Sequence, residues 1–218
     1  WQPLQRYYQT ITVKDDQDYP LQLQETQWGP FITYGKQTFA LRWVAYDPSA
    51  VNFNLLRLEN SKNTAQALAL APITGIPTQN MLVADKEGNI GWTPLGPLPA
   101  RQLSDWDTPQ DWSDGKQNWS ANLSAEQYPK ILNPEAGVLW TANARSVGGE
   151  AYKLLGNGGY DLGARGQQIR NNLLSQRPLD EQALHQIQLD NQALFLSRWQ
   201  QLLLDVLTPE VTAEHQLT

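Results

Sequence analysis

Apolar and polar positions alternate along the first part of the chain. Tyr7 to Val13 reads YYQTITV and Leu21 to Gln27 reads LQLQETQ. That period of two is what a half-buried strand requires, because successive strand side chains point to opposite faces. Asp15-Asp16-Gln17-Asp18 lies between the runs as a polar turn, so the two are predicted to pair as a hairpin. Trp28-Gly29-Pro30 interrupts the pattern, and Phe31 to Tyr34 and Thr38 to Ala45 read as the next strands of an antiparallel meander. From Asp47-Pro48-Ser49 the period lengthens. Proline is tolerated in a first helical turn, and Val51, Leu55, Leu56 and Leu58 then fall at helical spacing. A second helix is predicted from Asn63 through Leu70, ended by Pro72 and Gly75-Ile76-Pro77. Gln79 to Asp85 and Asn89 to Thr93 read as a hairpin closed by Lys86-Glu87-Gly88.

Residues 97–136 carry Pro, Asp, Trp, Ser and Asn without a period and read as one long loop. Gly137 to Asn143 reads as a strand, and a glycine-broken loop follows at Gly148-Gly149, Gly156, Gly158 and Gly159. Three helices are predicted at Arg165 to Leu174, Pro178 to Asp190 and Asn191 to Leu207. In the last, Leu194, Leu196, Trp199, Leu202, Leu203 and Val206 fall on one side. The pattern describes an α+β chain, read as one domain over residues 1–218. Residues 1–96 are mostly antiparallel sheet with a helical insertion near 48–71, 97–136 are loop, and 137–218 are strand, Gly-rich loop and helices.

Composition narrows the function. The net charge of -6 disfavours a polyanion partner, since nucleic-acid binders present a basic face. The chain has no cysteine, which excludes a disulfide framework and a thiolate metal site. No run approaches the ~20 apolar residues of a membrane span. Trp1-Gln2-Pro3 carries neither an initiator Met nor a signal-peptide pattern, so a processed or excised piece is expected. The nine tryptophans read first as packing residues.

No Ser-His-Asp order, Walker loop or metal-ligand spacing occurs. An amide and a guanidinium do stand at the two ends of the glycine-broken loop, Asn143 and Arg165. A cation at a helix start opposes the helix dipole, so Arg165 asks for a reason. Asn143 taken alone reads as the end of a strand. Asp85 with Gly88-Asn89 reads as turn chemistry, and Arg101 as the partner of a carboxylate. The glycines at 148–149 and 156–159 read as hinges. His185 and His215 do not read as a metal pair. Asp105, Trp106, Asp107 and Trp112 read as a solvated loop rather than a calcium or glycan site.

Pro77-Thr78-Gln79-Asn80 through Ala84-Asp85, Gly88 to Trp92, and Gly96 to Arg101 together resemble a "P-x-Q-N…A-D…G-N-I-G…G…P-x-R" stretch of the penicillin acylase family of N-terminal-nucleophile amidohydrolases. Gly137 to Asn143 is similar to that family's "G-x-I-x-x-A-N-N" strand. Arg165 followed by Ile169 resembles its arginine-initiated helix, and Trp28-Gly29-Pro30 a break it often shows after "E-T-x".

The resemblance implies the four-layer αββα sandwich, of which this chain would be a fragment: the C-terminal portion of a β-chain. It implies hydrolysis of the amide bond between an acyl group and an amine, in a β-lactam side chain or an acyl-homoserine lactone. The nucleophile would be an N-terminal serine whose own α-amine is the base. A backbone N–H and Asn143 would hold the oxyanion, and Arg165 would orient Asn143. The serine is absent from these residues, so the chain by itself is expected to be inactive. The implied partners are an α-chain, the N-terminal part of the β-chain and a small amide substrate, with no nucleic acid and no membrane. The implied location is periplasmic. Two departures stand out. Ala144 replaces a second Asn, and Leu154 stands where several members place a calcium-binding Asp. No cofactor is therefore expected. The competing expectation is a non-catalytic, Trp-rich β-sheet module that binds a ligand or partner protein.

Overall fold

The computed structural model describes residues 3–102, 108–116, 118–176 and 178–214. Backbone packing divides the chain into two units, 1–134 with 148–158, and 135–147 with 159–218.

The first unit opens with a four-stranded antiparallel sheet in the order β1-β2-β3-β4: Gln5–Ile11, Tyr19–Thr26, Gly29–Tyr34 and Gln37–Ala40. The expected hairpin forms, with Gln5 facing Glu25 and Ile11 facing Tyr19. The Trp28-Gly29-Pro30 break has a steric cause. Thr26 Oγ1 accepts from the Trp28 N–H at 3.1 Å and donates to the Gly29 carbonyl at 3.0 Å, closing a tight turn. Gly29 has φ +136°, and a Cβ there would lie 2.1 Å from the Leu41 carbonyl oxygen, so only glycine fits.

The strand expected through Ala45 ends at Ala40, and a 3-10 turn at Val44–Tyr46 stacks Trp43 edge-on to Tyr46. The helix expected from Asp47 is corrected too. Its residues form 3-10 turns at Pro48–Ala50 and Phe53–Asn60. Asn52 explains the change. Its Oδ1 accepts from the N–H groups of Asn54 and Gly75, and its Nδ2 donates to the Ile73 carbonyl. A side chain that bonds the backbone in this way competes with α-helical hydrogen bonds. The next helix, α1, is as expected: Thr64–Leu70, capped by Asn63 Oδ1 on the Gln66 N–H at 2.9 Å.

Strands β5 (Gln79–Ala84) and β6 (Ile90–Leu95) form the predicted hairpin. Leu68 of α1 packs with Ala71, Met81 and Leu95 as one core cluster. Residues 97–136 are not a single loop. They hold β7 (Pro99–Gln102), β8 (Asn118–Asn122) and β9 (Ile131–Leu132); β7 pairs β8, and β9 pairs β6. These strands are too short to show a period, and their partners are distant in sequence. What fixes them is buried chemistry: Leu98, Leu123 and Tyr128 cluster, and the Tyr128 hydroxyl accepts from the Leu98 N–H and donates to the Gly96 carbonyl. The glycine-broken loop is corrected likewise, since Gly149–Leu155 is a helix, α2.

In the second unit, residues 137–143 form no strand among the described residues, contrary to the sequence pattern; Gly137 takes φ +65° and Val138 is buried. Helices follow at α3 (Ala164–Ser175), α4 (Glu181–Gln188), α5 (Ser197–Val206) and α6 (Pro209–Glu214). The helix expected from Asn191 begins only at Ser197, after a 3-10 turn at Leu194–Leu196. Its apolar side is exposed among the described residues, Trp199, Leu202, Leu203 and Val206 included. No described helix is long and apolar enough to cross a membrane. The readings on Asp105, Trp106, Asp107 and His215 fall outside the described residues.

Candidate active site

Asn143 and Arg165 meet in the second unit. Arg165 Nη2 donates to Asn143 Oδ1 at 2.7 Å. The same nitrogen donates to Asp161 Oδ2 at 3.0 Å, and the Asp161 N–H donates to the Asn143 carbonyl at 3.0 Å. Asn143 is thus held at its side-chain oxygen and at its main-chain oxygen. Its Nδ2 has no acceptor among the described residues, so the amide keeps a donor to offer. Oxygen and nitrogen of a carboxamide are hard to tell apart by shape, but a guanidinium has only donors, so its partner here must be the oxygen.

Local sequence positions these groups. Arg165 is the second residue of α3, whose cap Gly163 brings no side-chain acceptor and whose first turn has no acid. Asp161, four residues ahead, answers the unfavourable cation. A buried Gly166 brings α3 close to the segment before it: a Cβ there would touch the Cβ of Ala142 at 3.9 Å. Arg170, further along α3, lies over the Trp140 ring at 5.8 Å. Asp190 ties α3 to the chain after α4. Its Oδ2 accepts from Gln168 Nε2 and Asn172 Nδ2, both at 2.7 Å, and its Oδ1 from the Gln192 N–H. The Gln168 bond first, then the Gln192 and Asn172 bonds, hold its carboxyl below the usual carboxylate range.

Other singled-out residues lie elsewhere. Asp85 Oδ1 accepts from the N–H groups of Glu87 and Asn89, and its Oδ2 from the Thr64 N–H, which is turn and cap chemistry. Arg101 Nη1 donates to the Leu154 carbonyl at 2.9 Å, and its guanidinium lies 5.2 Å from the Trp119 ring centre. His185 is exposed on α4. Among the described residues, no group of three or more His, Cys, Asp and Glu could hold a metal ion.

Sequence reasoning missed Asp161, although its spacing four residues before Arg165 is an ion-pair signal. It also missed an aromatic cleft in the first unit. That cleft, about 1200 Å³, is lined by Trp28, Leu41, Arg42, Trp112 and Trp119 among others. Trp28 and Trp112 meet edge to face at 4.9 Å, and Arg42 lies over Trp119 at 5.4 Å. Among the described residues, Arg42 Nε and Trp119 Nε1 are buried there without a hydrogen-bond partner.

A penicillin amidase family profile matches residues 1–217. An acyl-homoserine lactone acylase QuiP from Pseudomonas aeruginosa is 25% identical over 92% of this chain and 25% of its own length. A penicillin acylase 2 proenzyme from Pseudomonas sp. (strain SE83) is 27% identical over 63% of this chain and 18% of its own length. The chain thus spans about a quarter or less of the curated relatives it matches. In fold it is similar to a thermostable penicillin G acylase from Alcaligenes faecalis, with a TM-score of 0.67, 21% identity, and coverage of 86% of this chain and 34% of that one. The α+β architecture of antiparallel sheets and helices agrees with part of the N-terminal-nucleophile hydrolase fold.

Proposed function

This chain belongs to the penicillin amidase family, and on that premise we propose that it is part of an amidohydrolase cleaving the amide bond between an acyl group and an amine. The nucleophile in this reading is an N-terminal serine outside these residues, with its α-amine as base. The serine oxygen attacks the amide carbonyl carbon, and its proton passes to the α-amine. The proton then goes to the leaving amine as the C–N bond breaks, and water hydrolyses the acyl-serine ester. Negative charge develops on the carbonyl oxygen in each half. Asn143 Nδ2 and a backbone N–H supplied from elsewhere stabilise it; one such donor is worth ~2.7–4 kcal/mol in the transition state. Arg165 fixes the Asn143 amide beforehand, so no reorganisation is needed when charge appears.

The observation that carries this reading is the 2.7 Å hydrogen bond from Arg165 to Asn143 Oδ1, which commits the amide oxygen and leaves the amide nitrogen to donate. The substrate class follows the relatives' names, an acyl-homoserine lactone or a penicillin. The remaining parts are an α-chain and the N-terminal part of the β-chain, both units here belong to one incomplete domain of that whole, the location is periplasmic, and these residues alone are inactive. The test is to incubate the intact protein with N-acyl-homoserine lactones and with penicillins and look by mass spectrometry for free acid and amine. Release of neither defeats the reading.

The aromatic cleft favours a second reading, a Trp-rich module that binds without turnover. Saturable tryptophan quenching by the same compounds, with no product formed, would favour it over the first.

A further inference from the structure

We propose that Asp161 is a positioning residue for Asn143, acting through Arg165. It rests on the oxyanion reading above and adds the group that sets that amide's orientation.

The geometry forms a closed ring of three residues. Arg165 Nη2 has two hydrogens in the guanidinium plane. One goes to Asn143 Oδ1 at 2.7 Å and the other to Asp161 Oδ2 at 3.0 Å. Two acceptors on one planar nitrogen fix both its position and its plane. The ring closes through the backbone, because the Asp161 N–H holds the Asn143 carbonyl at 3.0 Å. Asp161 therefore reaches Asn143 twice, directly at the main chain and through Arg165 at the side chain.

Exposure argues against stability as the reason for the pair. Both side chains are 62% exposed, and an exposed ion pair contributes little to stability. The local sequence also does nothing else for the cation. Arg165 sits at the positive end of α3, which has a glycine cap and no acid in its first turn. Without Asp161 the guanidinium has Asn143 Oδ1 as its one side-chain acceptor among the described residues and is free to turn about that bond, carrying the amide with it. Asp161 also places a negative charge on the guanidinium, so the donor presented to substrate is the Asn143 amide rather than a bare cation.

The test uses the intact enzyme with Asp161→Ala, Asp161→Asn, Asn143→Ala and the double variant Asp161→Ala/Asn143→Ala. Misplacement of a positioned group by about an ångström costs up to ~10²-fold in rate. Asp161→Ala is expected to lower kcat on the order of tenfold with KM nearly unchanged. Asp161→Asn keeps an acceptor oxygen and is expected to recover most of the loss. On the Asn143→Ala background, Asp161→Ala is expected to cost nothing further. Crystal structures of the two single Asp161 variants supply a readout independent of turnover: the Asn143 amide should move in Asp161→Ala and stay in Asp161→Asn. An unmoved amide in Asp161→Ala, a normal kcat, or a loss that adds fully to Asn143→Ala each overturns the proposal. A harmless Asn143→Ala sinks the oxyanion reading instead and leaves Asp161 to be judged by the crystal structures.

Discussion

Arg165 Nη2 lies 2.7 Å from Asn143 Oδ1, although the two residues are 22 apart in sequence. The amide oxygen is spent on the guanidinium, and the amide nitrogen is left as a donor. This division of one side chain into an anchored half and a working half underlies the first two predictions.

Asn143→Ala in the intact enzyme should lower kcat by about 10²–10³, the usual cost of one lost oxyanion donor. Circular dichroism and melting temperature should hardly change, since Asn143 is exposed. Turnover within twofold of the parent would remove Asn143 from the mechanism.

Arg165→Lys keeps the charge and loses the planar fork. One ammonium cannot hold Asn143 Oδ1 and Asp161 Oδ2 in a fixed plane. We expect kcat to drop by roughly 10- to 10²-fold while KM stays near the parent value. Steady-state kinetics on the intact enzyme decide it, and a pure KM effect would contradict the orienting role.

Asp85 makes stability depend on acid. The Thr64 N–H first, then Asn89, hold its carboxyl at about 2 rather than 3.8. A carboxyl with a lower pKa in the folded state adds stability above its unfolded pKa and loses it as pH falls through the folded one. Wild type should therefore exceed Asp85→Asn in stability at pH 7, and the gap should close between pH 3.8 and about 2. Urea midpoints along that series measure it; a gap constant with pH refutes the assignment.

Tyr128→Phe should destabilise the first unit. The buried hydroxyl accepts from the Leu98 N–H at 2.9 Å and donates to the Gly96 carbonyl at 2.7 Å. Removing it strands two backbone groups, at ~1–3 kcal/mol for an unsatisfied buried partner. Denaturant unfolding should show a lower midpoint, and an unchanged midpoint would mean that water replaces the hydroxyl.

The 218-residue chain on its own should self-associate. Every residue of β1 is exposed, and Tyr8 and Tyr34 stand 74% and 82% accessible. Exposed apolar sheet of this kind recruits other chains. Light scattering should report a mass that climbs with concentration; a monomer stable at high concentration would count against it.

The periods and punctuation legible along the chain were overridden where contacts between distant residues decided the outcome. The β1-β2 hairpin, the Asn63 cap of α1, the β5-β6 hairpin and the start of α3 within one residue of Arg165 all follow from neighbours a few positions apart. Asn52 defeated the helical spacing of Val51 to Leu58 because its side chain bonds Ile73 and Gly75, more than twenty residues on. Strands β7 and β8 escaped notice because they are short and their partners lie beyond a window of local pattern.

By itself, then, the sequence determined which of the early stretches alternate, where α1 and α3 lie, and that an amide and a guanidinium flank one glycine-rich stretch. Only the tertiary structure decided that these two groups touch, that Asp161 joins them, and that part of the stretch between is the helix α2. The reason is physical. Periodicity and capping are settled by neighbours within a turn or two, whereas a hydrogen bond between distant residues exists only once the intervening chain has closed and been held there by packing.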